Sequence, residues 1–137
     1  MDDALRNAFL RNDTPAIPPE ARTLLRYKNS LENMRHLFLY GMDLRTVTTR
    51  HIDTWEADLR KIMGGIVSLH RTANVEKFLI STDAVLEHIG KANHCLYRVS
   101  HLLGQQGDKN KKLLYQIFNE VCVHLFNAIE QFKNLDE

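Results

Sequence analysis

The sequence predicts an all-α protein, folded as an up-down-up-down antiparallel four-helix bundle with a short N-terminal arm or extra helix. Three observations support this fold class. Apolar residues recur at alternating steps of three and four along four long stretches, which is the spacing of one buried helix face. Short connections join these stretches, so consecutive helices are expected to be antiparallel neighbours. No segment shows the apolar–polar alternation of a half-buried β-strand.

The first predicted helix covers about residues 19–41. Pro18 and Pro19 suit its first turn, because a backbone N–H there has no partner within the helix, and Gly41 is a typical stop residue. Its expected core-facing stripe consists of Leu24, Tyr27, Leu31, Met34 and Phe38.

The second predicted helix covers about residues 49–71, with Thr49 as the expected N-cap. Its expected stripe consists of Ile52, Trp55, Leu59, Ile62, Ile66 and Leu69. Gly64 and Gly65 interrupt this helix, where each glycine costs about 1 kcal/mol relative to alanine. We expect them to allow the close approach of a neighbouring helix, or a kink; the alternatives are a hinge and a backbone contact to a ligand.

The third and fourth predicted helices cover about residues 75–103 and 109–135. The string STDAV at 81–85 is typical of a helix cap, so we expect the third helix to break there and to restart near Asp83. Asp108 is the expected N-cap of the fourth helix. The stripe of the third helix consists of Phe78, Thr82, Val85, Ile89, Ala92, Leu96, Val99 and Leu103. The stripe of the fourth consists of Leu114, Phe118, Val121, Leu125, Ala128, Phe132 and Leu135.

The chain is expected to form one bundle domain over residues 19–137, preceded by an arm at 1–18 that folds as a short helix on the bundle. Near the end of the first helix, Leu37 and Tyr40 point away from the core. Exposed apolar side chains of this kind need a cover or a partner. Either a partner protein docks on them, or the arm folds back and buries them with Leu5, Phe9 or Ile17.

Composition excludes several functional classes. The chain has 137 residues, of which 44% are hydrophobic and 26% charged, which is typical of one globular domain. Its net charge of +1 gives no general attraction to nucleic acid or anionic lipid. No stretch approaches the 18 apolar residues of a membrane span, and Cys95 and Cys122 form no disulfide or CxxC pattern. We therefore expect an intracellular protein, cytoplasmic or nuclear, with both thiols reduced and no membrane contact.

The stretch EHIGKANHCLYRVSH at 87–101 is rich in reactive residue types, but its spacing does not favour a metal site. Two ligands on one helix reach the same ion at a separation of three or four residues. His88, His94 and His101 are separated by six and seven. We therefore predict no metal, no cofactor and no catalytic residue. His94, Arg98 and His101 are expected on an outward polar face that contacts a partner.

The predicted function is a non-catalytic protein–protein interaction module, of the adaptor, scaffold or regulatory kind. Leu37 and Tyr40 would contact a partner helix, and Arg22 and Arg26 would steer an acidic partner toward them. Self-association as a homodimer is a further expectation. It would use a flanking apolar row on the fourth helix, although a wide stripe of this kind is equally typical of a buried helix. That row consists of Leu113, Ile117, Cys122 and Ile129.

Two alternative functions remain open from the sequence. A nucleic-acid-binding or RNA-cleaving bundle would use arginine and histidine side chains, either the pair Arg45 and His51 or the exposed face of His94, Arg98 and His101. The small basic patches of this chain do not form a stripe interleaved with aromatics, so nucleic acid is the less favoured partner. A ligand-binding bundle would require a cavity beside Gly64 and Gly65.

Overall fold

A computed structural model describes residues 18–72, 75–103 and 109–136 of the chain. Within these ranges there are four α-helices and no strand, which confirms the predicted all-α four-helix bundle. None of these helices is long and apolar enough to cross a bilayer. The predicted N-terminal arm and the predicted cap at Asp108 lie outside the described residues. The helices are α1 (Pro19–His36), α2 (Thr49–Thr72), α3 (Thr82–Leu103) and α4 (Lys109–Glu130).

The four helices pack around one continuous core, because each buries the stripe that its sequence predicts. Helix α3 lies along α4 on one side and α2 on the other, and α1 packs on the free side of α4. Helices α1 and α2 approach each other at only a few positions, so the bundle is most open between them. The largest fully buried side chains are Leu24, Leu31, Ile52, Leu59, Ile66, Val85, Ile89, Leu96, Ile117, Leu125 and Phe132.

The first helix ends in a wide turn. After His36 the chain continues as a π-helical turn at Leu37–Gly41, followed by an extended residue at Met42. Within this turn Phe38 points into the core, where its ring meets Trp55 at a centroid distance of 4.8 Å in an edge-on arrangement. The same ring meets Phe118 of α4 at 5.4 Å. The turn is therefore anchored from inside by one aromatic side chain.

The second helix is capped by Thr48, one residue earlier than predicted. The Thr48 hydroxyl oxygen accepts the backbone N–H of His51 at 3.4 Å, and His51 Nδ1 accepts the backbone N–H of Thr48 at 3.0 Å. This is the reciprocal arrangement of a capping box, with a histidine in the place of the usual glutamate. The expectation for Thr49 was wrong because Thr49 already lies in the first turn of the helix, and the hydroxyl that accepts a backbone N–H of this turn belongs to Thr48.

The glycine pair in α2 allows the close approach that its position predicted. The Tyr27 side chain of α1 lies against Gly65, where an added Cβ would overlap the Tyr27 hydroxyl and stand 2.6 Å from its Cζ. At Gly64 an added Cβ would meet nothing within 4 Å. The space over Gly65 is thus filled by a side chain of the protein itself, and the groove of about 510 Å³ that Tyr27 and Ile62 line is not lined by either glycine.

The predicted break before α3 is confirmed. A 3₁₀ turn at Val75–Phe78 is followed by Leu79 with φ of 59° and by an α-helix that starts at Thr82, one residue before the predicted position. The Ser81 hydroxyl accepts the backbone N–H of Ala84 at 3.2 Å, as an N-cap does. Ser81, the serine of the cap-like string, is therefore the N-cap of α3.

Candidate functional site

Exposed apolar side chains gather where the end of α1 meets α4. Tyr40 is 75% exposed and Phe126 is 42% exposed, although a buried core of ample size is available to both helices. Scattered exposed apolar residues are normal, whereas a group of them marks a contact surface. The group consists of Leu39 and Tyr40 in the π-helical turn and Tyr115 and Phe126 on α4.

A groove of about 280 Å³ runs between these two elements, and we call it the α1–α4 groove. It is lined by Glu32, Arg35, His36, Leu39, Tyr40, Phe126 and Ile129. A second depression of about 230 Å³ continues from it along α4 and shares Leu39. This depression is lined by Phe38, Leu39, Met42, Tyr115, Phe118, Asn119 and Cys122. Together they give a surface of mixed polar and apolar side chains that includes the aromatic residues Tyr40, Tyr115 and Phe126.

Arg35 fixes the wall of the α1–α4 groove. Its Nε donates to the backbone carbonyl of Cys122 at 3.3 Å, and its guanidinium lies 5.1 Å from the centre of the Phe126 ring. On the other side of the groove the rings of His36 and Tyr40 stand 4.9 Å apart. Because Arg35 is held at both contacts, the groove presents a positioned positive charge between two aromatic side chains.

The predicted partner-contact residues fall on separate surfaces. Leu37 and Tyr40 are exposed, as expected, and Leu37 is at 36%. Arg22 and Arg26 are exposed too, but Arg26 lines a groove on the α2 side of α1, with Asp58 and Lys61. The structure therefore does not bring Arg26 together with the α1–α4 groove. The basic residue at this groove is Arg35, which sequence reasoning missed.

A larger and more open groove of about 810 Å³ lies between α3 and α4, and two of the predicted residues, His94 and Arg98, line it. Arg98 Nη1 lies 3.2 Å from Glu120 Oε2 of α4. The Cys95 thiol forms the floor, with Sγ 3.8 Å from the same carboxylate oxygen. His101 is exposed but is not among the lining residues. The stretch at 87–101 thus faces a neighbouring helix as well as solvent.

The protonation states in the α3–α4 groove do not activate a nucleophile. Burial raises the pKa of the Cys95 thiol, and the negative charge of Glu120 raises it further, so the thiol form is favoured at neutral pH. Burial lowers the pKa of His124, and the positive charge of Lys91 lowers it further, so the neutral imidazole is favoured at neutral pH. Among the residues the structure describes, no three histidine, cysteine, aspartate or glutamate side chains come together as a metal site.

Arg45 and His51, the candidate RNA-cleaving pair, each have a local partner. Arg45 Nε and Nη2 contact the two carboxylate oxygens of Asp43 at 3.1 and 3.0 Å, and this hydrogen bonding lowers the pKa of Asp43. His51 uses Nδ1 in the α2 cap, and its ring stacks on Trp55 at 5.8 Å. These contacts thus engage both side chains locally, and neither of them lines one of the grooves described above.

The apolar row predicted as a dimer face on the fourth helix is largely internal. Ile117 and Cys122 are buried within the chain, Ile129 is half-buried, and only Leu113 is exposed. The burial alternative is therefore confirmed for the middle of the row. Both cysteines are free and buried, as expected.

The α1–α4 groove combines exposed aromatics with a positioned arginine, and the α3–α4 groove is a broader depression bordered by ion pairs. Comparison with known proteins adds no further constraint on their roles. Neither protein-family models, nor curated proteins, nor solved structures gave a match to this chain.

Proposed function

We propose that the protein is a non-catalytic interaction module, of the adaptor, scaffold or regulatory kind, that docks a partner helix in the α1–α4 groove. The observation that carries this proposal is the exposure of Tyr40 and Phe126 on the two walls of one groove. Full burial of a large apolar side chain contributes about 1.5–3 kcal/mol, and the exposed parts of Tyr40 and Phe126 are the share of this that the folded chain leaves unused. A partner that covers the groove would recover this free energy.

The residue types at the groove are those that dominate interface energetics. Tyrosine, tryptophan and arginine are enriched among residues whose truncation weakens binding most, and Arg35 and Tyr40 stand on the groove. Their contacts also hold them in place, since Arg35 is fixed on Cys122 and Phe126. A surface that is ordered before binding loses less conformational entropy when the partner arrives.

The shape and charge of the groove define the partner. Two helices form its walls, so a third helix can lie between them with apolar side chains at positions i, i+3 and i+4. The guanidinium of Arg35 favours a carboxylate on that helix at the edge of its apolar face. The partner is therefore an amphipathic helix with an acidic residue beside its apolar stripe.

Photo-crosslinking tests this proposal directly. Benzoylphenylalanine replaces Tyr40 in the full chain, and a matched protein carries it at Tyr97, an aromatic position on α3 that is 60% exposed. After irradiation in cell extract, we expect a discrete protein adduct from position 40 that position 97 does not give. The substitution Phe126→Asp should remove that adduct without changing the circular dichroism spectrum.

Other outcomes would contradict the assignment. Equal adducts from positions 40 and 97 would indicate nonspecific contact. An adduct from position 97 alone would move the docking surface to the α3–α4 groove, because Tyr97 stacks on His94 at 6.4 Å. An adduct of twice the chain mass would identify the partner as a second copy of this protein.

A further inference from the structure

We infer that the outer face of α4 is an interface between two copies of this chain, in which α4 of one copy packs antiparallel against α4 of the other. We call this face the α4 ridge. It consists of six exposed residues, Lys112, Gln116, Asn119, Val123, Phe126 and Glu130. None of them belongs to the apolar row of α4 that the sequence predicted as a dimer face and that proved largely internal.

The spacing of the α4 ridge is that of a seam between two helices. Its members follow one another at steps of four, three, four, three and four. At about 100° per residue they lie within an arc of about 80° on the surface of α4. Stripes with this period favour nearly aligned helix axes, with each side chain fitting between those of the facing helix. The buried side of α4 uses the same spacing for its core contacts, with Val121 and Leu125 among them.

Opposite charges at the two ends of the α4 ridge select the antiparallel arrangement. Lys112 and Glu130 are separated by about 27 Å along the helix. A two-fold axis beside Val121, which lies midway between them, brings Lys112 of each copy opposite Glu130 of the other. A parallel pair would instead place lysine against lysine and glutamate against glutamate, and such like-charge contacts disfavour it.

The middle of the α4 ridge supplies the apolar contact and fixes the register. In the same antiparallel register, Val123 of each copy comes level with Asn119 of the other, and Phe126 with Gln116. Val123 is 54% exposed and Phe126 is 42% exposed, so the pairing buries apolar surface that a single chain leaves in water. The two amide side chains lower the affinity, but a polar residue in such a seam favours one register over others. The ridge therefore predicts a weak, reversible dimer with a defined geometry.

The end charges also oppose the dipole of their own helix. Lys112 lies in the first turn of α4, near its positive pole, and Glu130 lies in the last turn, near its negative pole. Neither charge has an ion-pair partner among the residues that the structure describes. In the antiparallel pair each of them comes beside the opposite pole of the second copy's helix. An arrangement that is unfavourable within one chain thus becomes favourable between two.

Self-association at this surface would regulate docking, because the two surfaces share Phe126. The α4 ridge stands between the two grooves, with Val123 on the α3–α4 groove and Phe126 on the α1–α4 groove. A second copy on the ridge covers Phe126 and so excludes a partner helix from the α1–α4 groove. This consequence rests on the proposed function, whereas the dimer itself can be measured without any docking partner.

Charge reversal tests the register. Sedimentation velocity of the full chain should show a reversible monomer–dimer equilibrium at concentrations between about 10 μM and 1 mM, as for a weak interface. Lys112→Glu or Glu130→Lys alone makes both end contacts of a dimer repulsive and should raise the dissociation constant about tenfold. The double variant Lys112→Glu/Glu130→Lys keeps the net charge of the wild type and should dimerise as the wild type does. Equal association of all four proteins would overturn the antiparallel register.

A pair of charge-matched variants tests the surface. Val123→Asp places a charge in the middle of the ridge and should leave only monomer in the same concentration range. Tyr97→Asp adds the same charge at a similarly exposed position on α3, away from the ridge, and should dimerise as the wild type does. Circular dichroism checks that both variants are folded. A wild-type chain that stays monomeric at about 1 mM, or a Val123→Asp chain that still dimerises, would overturn the inference.

The same variants separate the dimer from the proposed function. Val123 does not line the α1–α4 groove, so Val123→Asp leaves that groove unchanged. Where about half of the wild-type chains are dimeric, this variant should give about twice the yield of the docking-partner adduct from position 40. If the wild type dimerises and neither protein gives that adduct, the proposed function fails and the inferred interface stands. If the adduct forms and the wild type is monomeric, the interface fails and the proposed function stands.

Discussion

The glycine pair of α2 gives opposite expectations for the same substitution at neighbouring positions. At a solvent-exposed position in the middle of a helix, alanine is more favourable than glycine by about 1 kcal/mol. At Gly64, where an added Cβ meets nothing within 4 Å, Gly64→Ala should gain most of this and stabilise the protein by about 1 kcal/mol. At Gly65 the same methyl group would overlap the side chain of Tyr27.

The size of the stability change in Gly65→Ala depends on how far the Tyr27 side chain can move. Its ring is half-buried and borders the open groove between α1 and α2, so the side chain can move aside and lose its packing on α2. Overpacking of this kind costs about 1–3 kcal/mol, which cancels or exceeds the gain in helix propensity. We therefore expect Gly65→Ala to be less stable than Gly64→Ala by about 1–3 kcal/mol.

Urea unfolding followed by circular dichroism measures the free energy of unfolding of both variants, and a second background without the Tyr27 ring identifies the cause. Tyr27→Phe would not be sufficient, because Cζ remains 2.6 Å from the added Cβ. In a Tyr27→Ala background the two alanine substitutions should have nearly equal effects. The reasoning is refuted if Gly65→Ala stabilises as much as Gly64→Ala, or if their difference persists without the Tyr27 ring.

Three further predictions concern the cap, the core and a histidine. Thr48→Ala should lower the free energy of unfolding by about 0.5–2 kcal/mol, whereas Thr49→Ala inside the helix should change it less; equal effects would contradict the cap assignment. Leu125→Ala should lower the free energy of unfolding by about 2–5 kcal/mol because Leu125 is fully buried. The control Val123→Ala, at an exposed position, should lower it by about 0.5 kcal/mol or less. A small effect of Leu125→Ala would refute its core position. Because the pKa of His124 is lowered in the folded chain, the unfolded chain takes up the proton first, so stability should fall as the pH drops below 6.5 and through the folded pKa. Urea unfolding between pH 8 and pH 5 should show this fall weakened in His124→Asn, and an unchanged pH dependence would exclude the assignment.

The fold could be predicted because the bundle depends on periodicity. The stripes set which face of each helix is buried, and residues such as Leu31 and Leu96 are fully buried as expected. The break before α3 was also predictable, since serine followed by threonine and aspartate competes with helical backbone hydrogen bonds. The N-cap of α2 was displaced by one residue because both Thr48 and Thr49 have a suitable hydroxyl, and only the position of His51 decides between them.

The site was predictable only in part. Leu37 and Tyr40 were identified because the string HLFLYG is apolar on all sides, so some of it had to face outward. Arg35 and Phe126 were missed, since their contact joins positions far apart in the sequence and depends on how α1 and α4 are rotated. The sequence also did not show that Arg26 lines a different groove from Tyr40. Periodicity gives the angle of a residue on its own helix, and it does not say which neighbour stands opposite.

The π-helical turn of α1 amounts to one residue more than an α-helical turn would hold. Deleting Leu39 alone would restore the ordinary turn length, and Phe38 could keep its place between Trp55 and Phe118. The α1–α4 groove is thus separable from the bundle by the deletion of one residue. A chain with that deletion would be a suitable control for any assay of the groove. The deletion shortens the turn by one residue and substitutes none of the remaining side chains.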